Sequence, residues 1–241
     1  MEWTAENILL VNFILITGSI LQIATGVSVG MIIVPFLAII SYTLIPVPII
    51  FASLILTIMM AYKGRQYIDI KNLPQIGFGM FLGILLSIYF IKNIEFHYLG
   101  LIFGLFILAS VFISIKIKSF TLSYKINYAG GFIAGFMGAT AGVGGQILAL
   151  IFQNHKLESI KSTLAFLYTI FSIVMLVIFY SFDKFSYDNL ISGIYMIPGF
   201  LIGFLISPYF VKYFNQKYAK ITVLFMATFG AILLILKTIF L

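Results

Sequence analysis

The stretch GATAGVGGQI, residues 138–147, places hydrogen-bond donors inside a segment that is otherwise apolar. A glycine in a helix interior costs about 1 kcal/mol relative to alanine, so this glycine cluster predicts a point where one helix ends and another starts. The N–H groups at a helix start, together with the helix dipole, favour binding of an anion. The candidate substrate-binding residues of this stretch are Thr140, Gly142, Val143, Gly144, Gly145 and Gln146.

The first half of the chain carries an equivalent stretch, GVSVG at 26–30, whose register against GVGGQ at 142–146 is uncertain by one residue. Irregular backbone at membrane depth occurs only where it is buried in protein or lines a cavity. We therefore expect these two glycine-rich tips to approach each other and form one site. The glycines can alternatively serve only close helix packing, which is the interpretation we favour for GGFIAGFMG at 130–138. The first-half candidates are Thr25, Gly26, Val27, Ser28, Val29 and Gly30.

Polar residues on the long apolar segments are secondary candidates for the same site. Each of them can contact a ligand, although helix packing or a bond to the helix backbone explains each one as well. Lys161 begins a long apolar run, where it either reaches back to the membrane surface or faces an anion pathway. The secondary candidates are Gln22, Ser53, Ser162 and Thr163, followed by Thr57, Ser87 and Ser207.

The residues that are absent from the apolar segments exclude several classes of function. All seven acidic residues lie in gaps between these segments or at the N-terminus, whereas cation and proton pathways place Asp or Glu within membrane spans. The chain has no cysteine, no clustered metal ligands and no nucleophile–base pair. We therefore predict that the protein is not an enzyme and has no metal site and no cofactor. The net charge of +7 does not indicate nucleic-acid binding, because the basic residues are scattered singly.

The composition of the chain predicts the environment and the type of secondary structure in which these residues lie. Of the 241 residues, 62% are hydrophobic and 9% are charged, whereas soluble domains are about 25% charged. The chain therefore belongs in a lipid bilayer, and its rich use of Ile, Lys, Phe and Asn suggests a prokaryotic cell (inner) membrane. We predict an all-α integral membrane protein with these apolar runs: 8–25, 31–44, 49–62, 73–91, 98–115, a run from Ala129, a short run ending at 153–156, 162–180, 190–211 and 218–240.

The two halves of the chain resemble each other. GMFLGILLSIYF at 79–90 aligns without gaps to GFLIGFLISPYF at 199–210, with six of twelve positions identical. Internal repeats are frequent in transporters. We predict a first repeat over 1–120 with its hairpin tip at 26–30, and a second over 121–241 with its tip at 142–146. Each repeat is expected to hold a glycine-tipped bent or re-entrant hairpin followed by three transmembrane helices.

The distribution of basic residues predicts the orientation. Gaps rich in Lys and Arg lie inside, which places 63–72, 116–128, 153–161 and 212–217 inside and both termini outside. Five apolar runs per half is an odd number, so the second repeat must be inverted. From Ala129 to Gly142 a helix spans about 20 Å, a little past mid-membrane. Re-entrant hairpins and full spans with short second legs are both compatible with this parity.

At these residues the sequence resembles the sulfite exporter TauE/SafE family. Members carry a G-x-G-G-G tip followed by an apolar stretch and proline near the start of each half. Here GVSVGMIIVP at 26–35 has Ser28 and Val29 in place of glycines, and GVGGQILALI at 142–151 has Gln146 and Ile151 in place of glycine and proline. KGRQYID at 63–69 looks like the family's basic loop. The resemblance implies a secondary transporter of a small anion: sulfite, an organosulfonate such as sulfoacetate, or a related carboxylate.

Two other functions fit the same sequence features. One is an inverted-repeat exporter of a neutral or cationic metabolite of the drug/metabolite type, with ten full spans and no re-entrant tip. The other is a membrane scaffold subunit that transports no solute. The direction of transport, a homodimer and a coupling ion (H+ or Na+) remain open at this level.

Overall fold

The computed structural model describes residues 2–26, 28, 30–95, 98–116, 123–152, 154–213 and 216–240. These residues form ten α-helices and two short 3₁₀ segments, Tyr42–Leu44 and Arg65–Tyr67, and the described ranges contain no strand. The helices are α1 Ala5–Thr25, α2 Gly30–Ile40, α3 Val47–Lys63, α4 Leu73–Lys92, α5 Leu99–Lys116, α6 Tyr124–Ala141, α7 Gly145–Phe152, α8 Leu157–Ser181, α9 Tyr187–Val211 and α10 Gln216–Phe240.

Six helices are long and apolar enough to cross a membrane: α1, α4, α5, α8, α9 and, over 221–240, α10. Between a third and a half of the residues in each of these spans are buried in the protein. The remaining surface carries large apolar side chains, such as Leu9, Phe13 and Phe225, each about 70% exposed. Exposed apolar surface on this scale requires an apolar solvent. The predicted all-helical, multi-pass membrane protein is therefore confirmed.

Side-chain caps define where several helices begin. The hydroxyls of Thr4, Ser123 and Ser186 accept hydrogen bonds from backbone N–H groups in the first turns of α1, α6 and α9, which stabilises a helix start. Because Ser123 caps α6, that helix begins at Tyr124, five residues before the expected Ala129. At 18 residues it is about 27 Å long, so the expected length of about 20 Å was wrong.

The helices of the first half pack mainly on helices of the second half. The α4 helix lies along α6, α1 lies along α9, α3 contacts both α8 and α9, and α10 contacts both α5 and α2. The buried side chains of this arrangement are overwhelmingly aliphatic and aromatic, with Leu15, Ile33, Leu56, Phe103 and Phe200 almost fully enclosed. The core therefore lies between the halves.

The contact between α4 and α6 depends on small residues. A Cβ atom at Gly79 or Gly83 would fall on carbonyl oxygens of α6, and one at Gly131 or Gly135 would fall on carbonyl oxygens of α4. Glycines at such spacing let helix backbones approach closely. The packing interpretation of GGFIAGFMG is therefore confirmed.

Candidate functional site

The two glycine-rich tips have the same local conformation. The α1 helix ends at Gly26 with φ 75°, and α6 ends at Gly142 with φ 71°. Each glycine donates its N–H to the carbonyl four residues earlier, Gln22 or Gly138. A left-handed residue after the last helical turn is a common helix stop, and glycine adopts it without steric cost. The sequence therefore breaks both helices at matching glycines.

The tips contact each other. A Cβ atom at Gly30 would fall on the carbonyl oxygen of Gly142, and one at Gly145 would fall on the side chain of Ser28. The expectation that the tips approach each other is confirmed for these residues. Val27 and Val29, which are also candidates, lie outside the described residues.

Two short helices start at this contact. The α2 helix runs 11 residues from Gly30, and α7 runs eight residues from Gly145. The first-turn N–H groups of a helix have no acceptor within that helix, and the dipole makes this end positive. The start of each short helix therefore presents donors and partial positive charge beside the meeting tips.

A cavity of about 80 Å³ lies beside the tips. One water molecule needs about 10–15 Å³ of such volume, so the cavity can hold a small solute with a few waters. Among the described residues, no charged side chain lines it, and the glycines on its wall come from both tips. Its polar lining side chains are Gln22, Ser28, Ser53, Thr57, Tyr168 and Ser172.

The structure brings most of the glycine candidates to this cavity. Of the tip residues, Ser28, Gly30, Gly142, Gly144 and Gly145 line it. Of the secondary candidates, Gln22, Ser53 and Thr57 line it as well.

Four tip residues are placed beside the cavity without lining it. The hydroxyls of Thr25 and Thr140 donate to carbonyl oxygens of their own helices, at 2.7 Å in both cases. Val143 is fully buried, and Gly26 packs against the aliphatic part of Lys161. These residues shape the tips rather than the cavity wall.

Gln146 contacts α5. Its side-chain Nε2 donates to Ser114 Oγ at 2.6 Å, and the side chain is 2% exposed. Its Oε1 has no hydrogen-bond partner among the described residues. This amide therefore joins α7 to α5, and Gln146 is not among the residues that line the cavity.

Ser162 and Thr163 contact the connection between α3 and α4. Thr163 Oγ1 accepts a hydrogen bond from the backbone N–H of Asp69 at 2.9 Å, and Ser162 packs against Gly64. The Asp69 carboxylate in turn lies 3.2 Å from Nε2 of His155. These contacts fix the connection after α3 to the start of α8.

Ser87 and Ser207 are buried and donate to carbonyls of their own helices.

Tyr168 and Ser172 on α8 are cavity residues that the sequence did not indicate. The Tyr168 hydroxyl donates to the carbonyl oxygen of Gly145 at 3.1 Å and so fixes the start of α7. Their spacing could have indicated them. Tyr168 and Ser172 are four residues apart and therefore share one helix face, as do Ser53 and Thr57. Because the chain has fourteen tyrosines, this pair was not distinctive in the sequence.

The arrangement can bind a ligand with neutral donors. Hydroxyl groups and helix starts donate hydrogen bonds to an anion, and the cavity wall has no carboxylate to repel one. Within the described ranges, no group of His, Cys, Asp or Glu side chains can hold a metal ion.

Comparison with known proteins identifies a matching family. A family model described as sulfite exporter TauE/SafE matches residues 10–234 of the chain. No curated protein and no solved structure matches the chain.

Proposed function

The chain belongs to the sulfite exporter TauE/SafE family, a family of membrane transporters and not of enzymes, and on this premise we propose that its cargo is a small anion. The proposed substrates are sulfite, an organosulfonate such as sulfoacetate, or a related carboxylate. The proposed binding site is the cavity beside the two glycine tips.

One observation carries the anion preference. The starts of α2 and α7 meet beside a cavity lined by hydroxyl groups and, among the described residues, by no carboxylate. A helix start stabilises a negative charge by about 0.3–1 kcal/mol when exposed and by up to about 2 kcal/mol when partly buried. Two such ends and several hydroxyls favour an anion over a cation or a neutral solute.

We further propose that the protein works by alternating access between two inverted repeats, 1–120 and 121–241. Each half contains five of the described helices. In both halves the helix before the glycine-rich tip is long and the helix after it is short. The packing is also exchanged between the halves: α4 lies on α6, and the corresponding pair is α9 on α1. A pseudo-two-fold relation accounts for this exchange. Transporters of this kind bind substrate at the repeat interface.

The test combines binding and transport. The purified protein is heated in detergent with sulfite, thiosulfate, sulfoacetate, taurine, short carboxylates and organic cations at matched ionic strength. A ligand at 100 times its dissociation constant raises the free energy of unfolding by about 2.7 kcal/mol if it binds only the folded state. We expect stabilisation by one anion class, and uptake of that anion into proteoliposomes. Stabilisation and transport of an organic cation instead would support the drug/metabolite type of exporter.

Cavity variants locate the site. Ser53→Ala and Ser172→Ala are expected to raise KM for the transported anion about fivefold each, since a lost hydrogen bond costs about 1 kcal/mol. Ser87→Ala is the matched control, because Ser87 also donates to a carbonyl three residues earlier but does not line the cavity. Equal KM values in Ser53→Ala, Ser172→Ala and Ser87→Ala would place the site elsewhere.

Gly144→Val should abolish transport, because a Cβ there would fall on the carbonyl oxygen of Ala134.

A further inference from the structure

Lys161 is a charged residue inside a membrane-spanning helix. It lies in the second turn of α8, a candidate span, and its side chain is half buried. Ionisable residues within spans are rare, because moving a charge out of water is costly, and they mark substrate pathways. The position of Lys161 therefore needs an explanation beyond solubility.

The helix geometry aligns Lys161 with the cavity. Tyr168, Ser172 and Met175 line the cavity from α8, and they follow Lys161 by 7, 11 and 14 residues. Residues at this spacing share one face of an α-helix. Lys161 therefore lies on the cavity-facing side of α8, about 10 Å before Tyr168 along the axis.

The first glycine tip connects Lys161 to the site. The Cγ atom of Lys161 lies 3.1 Å from the Cβ position at Gly26, so its aliphatic chain covers the left-handed turn that ends α1. Ser28 and Gly30, which follow in the same tip, line the cavity. The aliphatic part of Lys161 therefore contacts the tip that supplies part of the cavity wall.

Glu158, one turn earlier on α8, is the acidic residue that acts electrostatically on Lys161. Among the described residues Lys161 forms no direct ion pair: Asp69 lies against His155, and the exposed Glu158 attracts Lys161 without contacting it. A half-buried positive charge that is not held in a direct ion pair can still attract an anion, and it does so more strongly in surroundings of low dielectric.

We propose that Lys161 is the specificity-determining charge of the transporter: it attracts the substrate anion to the cavity and selects for its negative charge. This proposal rests on the proposed anion transport. A lysine that only reaches toward the membrane surface has no such effect on substrate charge.

The first test compares KM values in proteoliposomes. Lys161→Met is expected to raise KM at least tenfold for dianionic sulfoacetate and less for monoanionic methanesulfonate, whereas Lys161→Arg keeps the KM of the wild type. Lys156→Met is the matched control, because Lys156 is an exposed lysine at the start of the same helix. If Lys161→Met behaves like Lys156→Met toward both substrates, the proposal is overturned. If the wild type transports neither anion, the proposed function fails instead.

Chemical rescue separates charge from folding. The chain has no cysteine, so Lys161→Cys provides the one reactive thiol. Treatment with 2-aminoethyl methanethiosulfonate rebuilds a lysine-like ammonium group, and treatment with methyl methanethiosulfonate adds only a neutral group. We expect the ammonium group to restore the KM for sulfoacetate and the neutral group to leave it raised. Equal recovery with both reagents would mean that Lys161 only fills space.

Discussion

At the scale of single residues, Tyr168 holds the start of α7 against α8 while it lines the cavity. Its hydroxyl donates to the carbonyl oxygen of Gly145 at 3.1 Å. We expect Tyr168→Phe to reduce transport about fivefold, because a hydrogen bond of this kind contributes about 1 kcal/mol. Tyr180→Phe is the control, since Tyr180 lies on the same helix and is 70% exposed. Unchanged transport in Tyr168→Phe would mean that the hydroxyl neither positions α7 nor contacts substrate.

Thr163 shows how a candidate binding residue can have a structural role. Its Oγ1 is the acceptor for the backbone N–H of Asp69. We expect Thr163→Val to lower the free energy of unfolding by about 1 kcal/mol, because the Asp69 N–H loses its partner in partly buried surroundings. KM should stay unchanged, since Thr163 does not line the cavity.

Thermal unfolding in detergent checks the prediction for Thr163. Thr169→Val is the matched control, because the Thr169 hydroxyl donates only to a carbonyl of its own helix, that of Ala165. A rise in KM with unchanged stability in Thr163→Val would assign Thr163 to substrate binding instead.

At the scale of helices, the left-handed glycines decide where the long helices stop. Gly142 has φ 71°, a conformation that costs an L-residue with a side chain about 1–2 kcal/mol. We expect Gly142→Ala to lower the free energy of unfolding by about this amount. Gly138→Ala should be neutral or stabilising, because Gly138 lies inside α6 and a Cβ there would meet no atom closer than 3.4 Å. Equal effects of the two substitutions on thermal unfolding would contradict the role of the turn.

Helix existence was predictable from the sequence, whereas two helix starts were not. The apolar runs correspond to the ten helices, but α6 and α8 each begin five residues before the expected Ala129 and Ser162. Hydropathy locates the lipid-facing part of a helix and misses a first turn that is polar. In α8 that first turn includes Glu158. The earlier start places Lys161 inside the helix rather than at its edge.

At the scale of the whole molecule, the sequence predicted the class of protein and the contact between the tips better than the walls of the cavity. Glycine clusters and apolar composition are local signals, so both tips and the membrane location could be predicted. The packing of α4 on α6 and of α1 on α9 joins residues more than 30 positions apart, and no local pattern specifies such pairs. Tyr168 and Ser172 reach the cavity only through that packing, which explains why they were missed.

The same packing makes a prediction about topology. Asp69 and His155 lie 3.2 Å apart, so the connections before α4 and before α8 share one face of the protein. The α8 helix has 25 residues and is about 38 Å long, enough to cross a bilayer. Asp183, which follows α8, must then lie on the opposite face.

Cysteine labelling tests this topology in a chain that has no cysteine of its own. Lys71, Lys156 and Asp183 are exposed, so a cysteine at each can react. We expect a membrane-impermeant thiol reagent to label Asp183→Cys in intact cells, and Lys71→Cys and Lys156→Cys only in inside-out vesicles, because basic connections stay inside. The reverse pattern would keep the fold and invert the proposed orientation. Labelling of Lys71→Cys and Lys156→Cys from opposite sides would contradict the fold itself, since the Asp69–His155 contact requires both connections on one side.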